Sequence, residues 1–337
     1  MGTTLKWFFL IFILVLLFLI NLSFGSVDIP LIAIFRMLLL QEAENPIWTS
    51  ILMDFRMTKA FTCVLAGSDL SLGGLQMQTL FRNPLAGPDV LGLTSGASLA
   101  VSLILMSNAV SFTFFSTGTP WAIAIAASLG CVSVFIIMLA FSSKLQDNVS
   151  LLIIGLMVGA GTSAIVSVLQ YLSRAEEMQT YMLWTFGSLG GLNWNELLVL
   201  TSILFIGIII ASASIKSLNT WLLGDLYARS LGIDINRSRF FIILSASVLT
   251  GGVTAFCGPI AFVGLAVPHL VKLVINTSNH KVLIPAVLLG GAILLLLCDI
   301  LTQLPGNNSV LPINAITAMI GAPVVIWVIL KNKRIDV

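Results

Sequence analysis

Ten runs of apolar residues dominate this chain, at about 5–24, 56–79, 91–108, 119–141, 149–171, 194–214, 239–257, 260–275, 282–303 and 313–330. Most approach the roughly 20 residues that a helix needs to cross the hydrocarbon layer of a bilayer. Little is left for a water-facing surface: 58% of the 337 residues are hydrophobic and 9% are charged, against about 25% charged in soluble domains. The chain therefore reads as an all-α polytopic membrane protein of about ten transmembrane helices, in one domain spanning residues 1–337. The first run, Leu5 to Phe24, is long for the apolar stretch of a signal peptide and reads as an uncleaved helix. The eighth run is short and carries Pro268, which predicts a broken or tilted helix whose freed backbone groups are covered by protein.

Orientation follows from the basic residues. With the N-terminus inside, the inner loops and helix ends receive Lys6, Arg82, Lys144, Lys216, Arg229, Arg237, Arg239, Lys272, Lys281, Lys331, Lys333 and Arg334. The outer side receives Arg36, Arg56, Lys59 and Arg174. Twelve against four supports an even helix count with both termini inside. In the outer segment 25–55, Asp28 and Pro30 read as a cap and first-turn pair. Leu31, Ile34, Phe35 and Leu38 then repeat at helical spacing and predict a short amphipathic helix on the outer face. Gly73-Gly74 before Asn83-Pro84, and Gly251-Gly252 before Gly258-Pro259, hint at an inverted duplication.

Chemistry is sparse. Cys63, Cys131, Cys257 and Cys298 all lie in apolar stretches without a CxxC pair, so neither a disulfide framework nor a metal site is expected. His269 stands without a second ligand and reads as structural. No paired acid and base, nucleophile constellation or GxxxxGK[ST] phosphate loop occurs, so the chain is not expected to be an enzyme, to hold a cofactor or to bind nucleic acid. Arg56 and Lys59, at the outer end of the second helix, fit either interfacial anchoring or the docking of an acidic partner. Asp69 lies mid-helix, where a carboxylate costs about 2.5–3.5 kcal/mol on insertion scales. It must face protein or water, either on a translocation path or in a hydrogen bond to a neighbouring Ser or Thr.

One string is more specific. Leu65-Ala66-Gly67 leads through Gln78 to Arg82-Asn83-Pro84-Leu85-Ala86-Gly87-Pro88-Asp89-Val90-Leu91-Gly92 and Ser95-Gly96-Ala97. Physically this is a membrane helix, a tight inner turn fixed by two prolines, and a second helix whose Gly92 and Gly96 permit close packing. As a string it closely resembles the signature of FecCD-type permeases, the membrane subunits of iron-siderophore, haem and cobalamin ABC importers. The resemblance continues through Gly224-Asp225, Ala228, Leu231-Gly232-Ile233, Gly258-Pro259-Ile260, Phe262-Val263-Gly264-Leu265 and Pro268-His269 to Asp299, Leu311-Pro312 and Gly321-Ala322-Pro323. It covers about residues 56–330.

The resemblance implies a type II ABC importer permease fold in a bacterial cytoplasmic (inner) membrane. It implies two ATPase subunits, an extracytoplasmic solute-binding protein and a second permease copy, identical or paralogous. The loop 216–239 would couple to the ATPase through Gly224, Asp225, Ala228, Arg229, Leu231 and Gly232. Two short helices joined by glycine would fit it, with the small Ala228 expected against the partner. Arg56 and Lys59 would meet acidic residues of the binding protein; Thr58 and Lys59 replace the family's usual Pro and Arg, and Gln303 replaces a usual basic residue, so docking is expected to be electrostatically weaker or differently arranged. Asn83 and Leu85 in one inner turn, and Ser142 and Ser143 in another, are expected to gate the inner mouth. An ion-coupled secondary transporter is the rival, but such coupling usually needs buried carboxylates, and the spans offer only Asp69 and Asp299.

Overall fold

The computed structural model describes residues 3–25, 27, 29–39, 45–106, 120–142, 144–145, 148–303 and 310–332. Asp28, read as a cap, the gate candidate Ser143, and Lys333 and Arg334 lie outside the described residues. The helices are α1 (Thr3–Ser23), α2 (Leu31–Leu39), α3 (Pro46–Ser50), α4 (Met57–Phe81), α5 (Leu93–Met106), α6 (Pro120–Ser142), α7 (Asn148–Leu172) and α8 (Ala175–Thr185). They continue as α9 (Trp194–Ala213), α10 (Ile215–Trp221), α11 (Asp225–Ser230), α12 (Ile235–Cys257), α13 (Val263–Ile275), α14 (His280–Thr302) and α15 (Ile313–Asn332). No strand occurs among the described residues.

Side-chain caps set several starts. Asn193 accepts from the Glu196 amide at 3.0 Å, and the Glu196 carboxylate accepts from the Asn193 amide at 2.9 Å. Asp234 begins α12 by accepting from the Arg237 amide, and Asn279 begins α14 by accepting from the Lys281 amide. α4 stops where Arg82 turns left-handed (φ 46°) and the Asn83 amide donates back to the Gln78 carbonyl.

Each of the ten apolar runs contains a helix. Among the described residues six helices, α1, α6, α7, α9, α12 and α14, are long and apolar enough to cross a membrane, while α5, α13 and α15 contain shorter apolar stretches. The remaining run, α4, carries Ser68, Asp69, Ser71, Gln76, Gln78 and Thr79, all buried. It tolerates them because α14, α12, α13 and α9 surround it, so its neighbours are protein rather than lipid. Two glycines let them close in. A Cβ at Gly67 would strike the Gly291 carbonyl of α14, and one at Gly74 the Gly264 carbonyl of α13. By contrast α1 and α7 are largely exposed and apolar; on α7, Val149, Ile153, Met157, Ile165 and Val168 all lie at the surface.

Between α1 and α4 the expected amphipathic helix is present as α2, with Ala33, Ile34 and Met37 buried and Ile32, Phe35 and Arg36 exposed. Phe35 therefore lies on the opposite face from the one its spacing suggested. Beyond it, α3 starts at Pro46 with an Asn45 cap and runs through a π-helical turn, Ile51–Arg56, directly into α4. The eighth run is one short helix despite Pro268, preceded by the irregular stretch 258–262. Protein covers that stretch as expected: Asn314 accepts from the Ala261 amide at 3.1 Å, and the Ser188 amide donates to the Cys257 carbonyl at 2.9 Å.

Candidate functional site

Candidate residues gather at the two ends of the bundle. At the end formed by the start of α4 and the close of α1 and α14, Arg56 is buried. Its guanidinium donates to the Leu22 and Ser23 carbonyls, at 2.8 and 2.9 Å, and to the Val27 carbonyl. A cation over the last carbonyls of α1 complements the negative pole of that helix and fixes where the chain turns. Lys59, one turn on, pairs with Asp299 of α14 at 2.9 Å. The same Asp299 oxygen accepts from Asn21 of α1 at 2.7 Å and from Gln303 at 3.0 Å. One carboxylate thus ties three helices, and Gln303 takes part where a like-charged neighbour of Lys59 would compete. Arg56, Lys59, Asp299 and Gln303 line a cavity of about 430 Å³, with Phe24, Phe55, Ser188 and Leu311 on its walls.

The burial of Arg56 leads to an expected result. Arg56→Gln removes a charged donor from three carbonyls, at about 1.5–3 kcal/mol per charge-assisted bond. It should lower the melting temperature of the purified protein measurably, whereas Lys59→Gln, at a partly exposed position, should lower it less. Equal melting curves would show that Arg56 does not hold α1.

The other end is formed by the turn 82–87, by Ser142, Lys144, Leu145 and Asn148 between α6 and α7, and by the segment 215–235. In the first turn, Asn83 accepts from the Leu85 amide at 2.9 Å, and Leu85 is exposed. His269, expected to be structural, lies with Nε2 2.8 Å from the Pro84 carbonyl, and Gln78 donates to the Leu265 carbonyl at 3.0 Å. The turn is thereby held on α13. In the second turn, Ser142 is buried, and its carbonyl and that of Leu145 accept from Arg239, at 3.2 and 2.8 Å.

The segment after α9 does consist of two short helices, α10 and α11, with Gly224 (φ 102°) at their junction and Gly232 (φ 78°) after α11. Ala228 is not on its surface, contrary to the sequence reading. Its methyl is fully buried in one cluster with Leu218, Trp221 and Ile235, and with Met77, Leu80 and Phe81 of α4. A small residue serves there because the two helices fold onto the α4 end. The outward face is instead apolar: Leu223 is 61%, Tyr227 54% and Leu231 56% exposed, beside exposed Arg229 and Gly232. Of Asp225 only the backbone is described, at the start of α11. Gly224 also touches the first turn, for a Cβ there would lie 3.1 Å from the Arg82 guanidinium.

Asp69 is fully buried within α4, and among the described residues neither carboxylate oxygen has a hydrogen-bond partner. Of the two readings of Asp69 from the sequence, the bond to a Ser or Thr is not made among the described residues. Sequence reasoning missed Asn21, Asn148, Asn219, Arg239 and His280, all engaged across helices. Their one signal is a polar residue close to the end of an apolar run.

Comparison with known proteins covers most of the chain. The FecCD transport family model matches residues 13–331. The haemin transport system permease protein HmuU of Yersinia pestis is 32% identical over 327 residues, covering 97% of this chain and 95% of its own. The vitamin B12 import system permease protein BtuC of Photorhabdus laumondii is 33% identical, covering 86% and 87%. A solved metal-chelate type ABC transporter in an inward-facing conformation superimposes with a TM-score of 0.82 at 28% identity, covering 96% and 98%.

Proposed function

Because the chain belongs to the FecCD transport family, we propose that it is the membrane-spanning permease subunit of an ABC importer for an iron-siderophore, haem or cobalamin-type ligand. Relatives named as haemin and vitamin B12 permeases, matched over nearly their full length, are the observation that carries this reading. Ten spans then cross a bacterial cytoplasmic membrane with both termini inside. The end bearing Arg82, Lys144, Arg229 and Arg237 faces the cytosol, consistent with its positive charge.

On that orientation the exposed apolar face of α10 and α11 receives the ATPase. Apolar anchors beside a positive rim are what a docking surface offers. The cavity beside Lys59 and Arg56 lies on the outer side, where the solute-binding protein docks. Lys59 is already paired with Asp299, so steering there is expected to be weak and to fade with salt. A second permease copy covers α7, whose exposed surface includes Ser167 among apolar residues. Small and polar groups on an exposed span suit a partner helix or a water-filled path better than lipid. This makes α7 a better candidate for the pathway than Asp69, which is enclosed in α4. The turns at Asn83–Leu85 and Ser142–Ser143 form the cytosolic gate.

The test is reconstitution. The chain alone in proteoliposomes should neither hydrolyse ATP nor take up haemin, cyanocobalamin or a ferric hydroxamate. With its ATPase and binding protein, ATP should drive uptake of one of these, insensitive to an uncoupler. Uptake by the chain alone on an ion gradient would overturn the reading.

A further inference from the structure

Two hydrogen-bonded tethers, partly exposed at Asn219 and buried where they meet α4, run from the α10–α12 segment to adjacent residues at the inner end of α4. The first starts at Asn219 on α10. Its Oδ1 accepts from the backbone amide of His280 at 2.9 Å and from the ring Nδ1 at 2.8 Å, and its Nδ2 donates to Asn279 at 3.2 Å. Because Oδ1 can only accept, the ring proton sits on Nδ1. Nε2 lies 2.9 Å from the hydroxyl oxygen of Thr79 on α4, a hydroxyl that also donates to the Leu75 carbonyl at 2.8 Å. His280 is fully buried between the two contacts.

The second tether starts at Trp221, the last residue of α10, which donates to Ser238 at 2.8 Å in the interior. The next residue, Arg239, is buried and reaches the 142–148 turn through the Ser142 and Leu145 carbonyls. It also donates to Asn148 Oδ1 at 2.9 Å, and Asn148 Nδ2 donates to the Leu80 carbonyl at 3.0 Å. Thr79 and Leu80 are therefore the endpoints of the two tethers. The chain turns left-handed at Arg82 soon afterwards and enters Asn83–Leu85. His269 holds the far side of that turn through the Pro84 carbonyl.

We propose that His280 and Asn148 are positioning residues of the transport cycle, through which displacement of the ATPase-facing segment is passed to the last turn of α4 and so to the Asn83–Leu85 turn. Apolar packing between helices permits sliding, whereas buried directional bonds fix relative position. A shift of α10 therefore has to be shared with α4 through His280. A shift of the α12 start is shared with α4 and the 142–148 turn together through Arg239 and Asn148. One input thus reaches both gate turns. This rests on the importer reading above, and it adds which side chains carry the motion.

The experiment uses the complete transporter in proteoliposomes, with a Leu85→Cys reporter. Thr79→Val removes one hydroxyl at nearly constant volume, and Asn148→Ala cuts the second tether. Each should keep assembly and basal ATP hydrolysis; Asn148→Ala, which leaves buried Arg239 short of one acceptor, should melt somewhat lower than the parent and Thr79→Val close to it. Each should lower the stimulation of ATPase by loaded binding protein at least about fivefold. The nucleotide-dependent change in labelling of the reporter thiol should shrink with it. His280→Gln, whose amide reaches toward both partners, should retain more coupling than His280→Ala. If stimulation and labelling stay at parent levels in Thr79→Val and Asn148→Ala, the tethers carry nothing. If they fall only in proportion to melting temperature and yield, the bonds are structural and the proposal fails. A parent complex without ATP-driven uptake of haemin, cyanocobalamin or ferric hydroxamate would overturn the importer reading itself, and the proposal with it.

Discussion

A permease carrying Leu223→Glu and Leu231→Glu is expected to insert, fold and purify normally, yet to lose ATP-driven uptake by at least about thirtyfold, the loss typical of removing an interface anchor. Both side chains are more than half exposed, so the chain itself loses little. The partner ATPase, in contrast, would have to bury two carboxylates without counter-charges. Ala228→Glu should fail in another way. Its methyl is fully enclosed with Leu218, Trp221 and Ile235, and a glutamate there must unfold α11 or bury a charge. The expected signs are a lower melting temperature and protease cleavage within 216–239. Gly232→Arg has open space around it, and its cost, about 1–2 kcal/mol, comes from placing a side chain at φ 78°. Co-purification with the ATPase and a melting curve separate these cases. Normal assembly and transport by the Leu223/Leu231 double variant would move the ATPase contact elsewhere, to the 142–148 turn first.

Gly74→Val is expected to leave almost no folded permease. The new Cβ would occupy the position of the Gly264 carbonyl, which is backbone of α13 and has no rotamer by which to yield. Overpacking of a core costs about 1–3 kcal/mol when side chains can adjust and more when they cannot. α14, α12 and α9 pack on α4 too, so separating it from α13 disturbs its other contacts as well. Gly67→Val should behave alike through the Gly291 carbonyl of α14. Gly161→Ala on α7 is the control: nothing lies within 4 Å of its Cβ position, and the single chain should fold as before. Detergent-stable yield by size-exclusion chromatography checks all three. A monodisperse Gly74→Val protein at parental yield would show that the close approach of α4 and α13 is dispensable. Should Gly161→Ala fold but fail to dimerise, α7 would be the face turned to the second copy.

Much of this architecture is legible in the sequence because the bilayer limits the choices. A backbone in hydrocarbon must satisfy itself by helix formation, so an apolar run of sufficient length reports both an element and its type. The loop 216–239 could be read as two short helices because Gly224 and Gly232 interrupt it where left-handed backbone is needed. Side-chain roles were less readable. The spacing of Arg56 and Lys59 marks both as facing outward, and only the return of α1 and α14 reveals one holding three carbonyls and the other holding Asp299. Ala228 looked like a contact residue because smallness suits an interface and a tight core alike. Arg239 counted merely as a loop charge, since its partners stand 91 to 97 positions away. Hydrogen bonds spanning such separations leave no local trace in one sequence.

The polar, fully wrapped α4 bears on how such a protein is made. With Asp69, Gln76 and Gln78 in one helix, α4 leaves the ribosome as a poor candidate for stable residence among lipids. The helices that shelter it are α9 and α12–α14, whose residues begin more than a hundred positions later in synthesis. Until they arrive α4 has no dry neighbour except its own hairpin partners and whatever the insertion machinery supplies. A chain released before Cys257 should therefore be a substrate for membrane proteolysis rather than a stable fragment. Stable residence of α4 in the membrane is therefore expected to await the second half of its own chain.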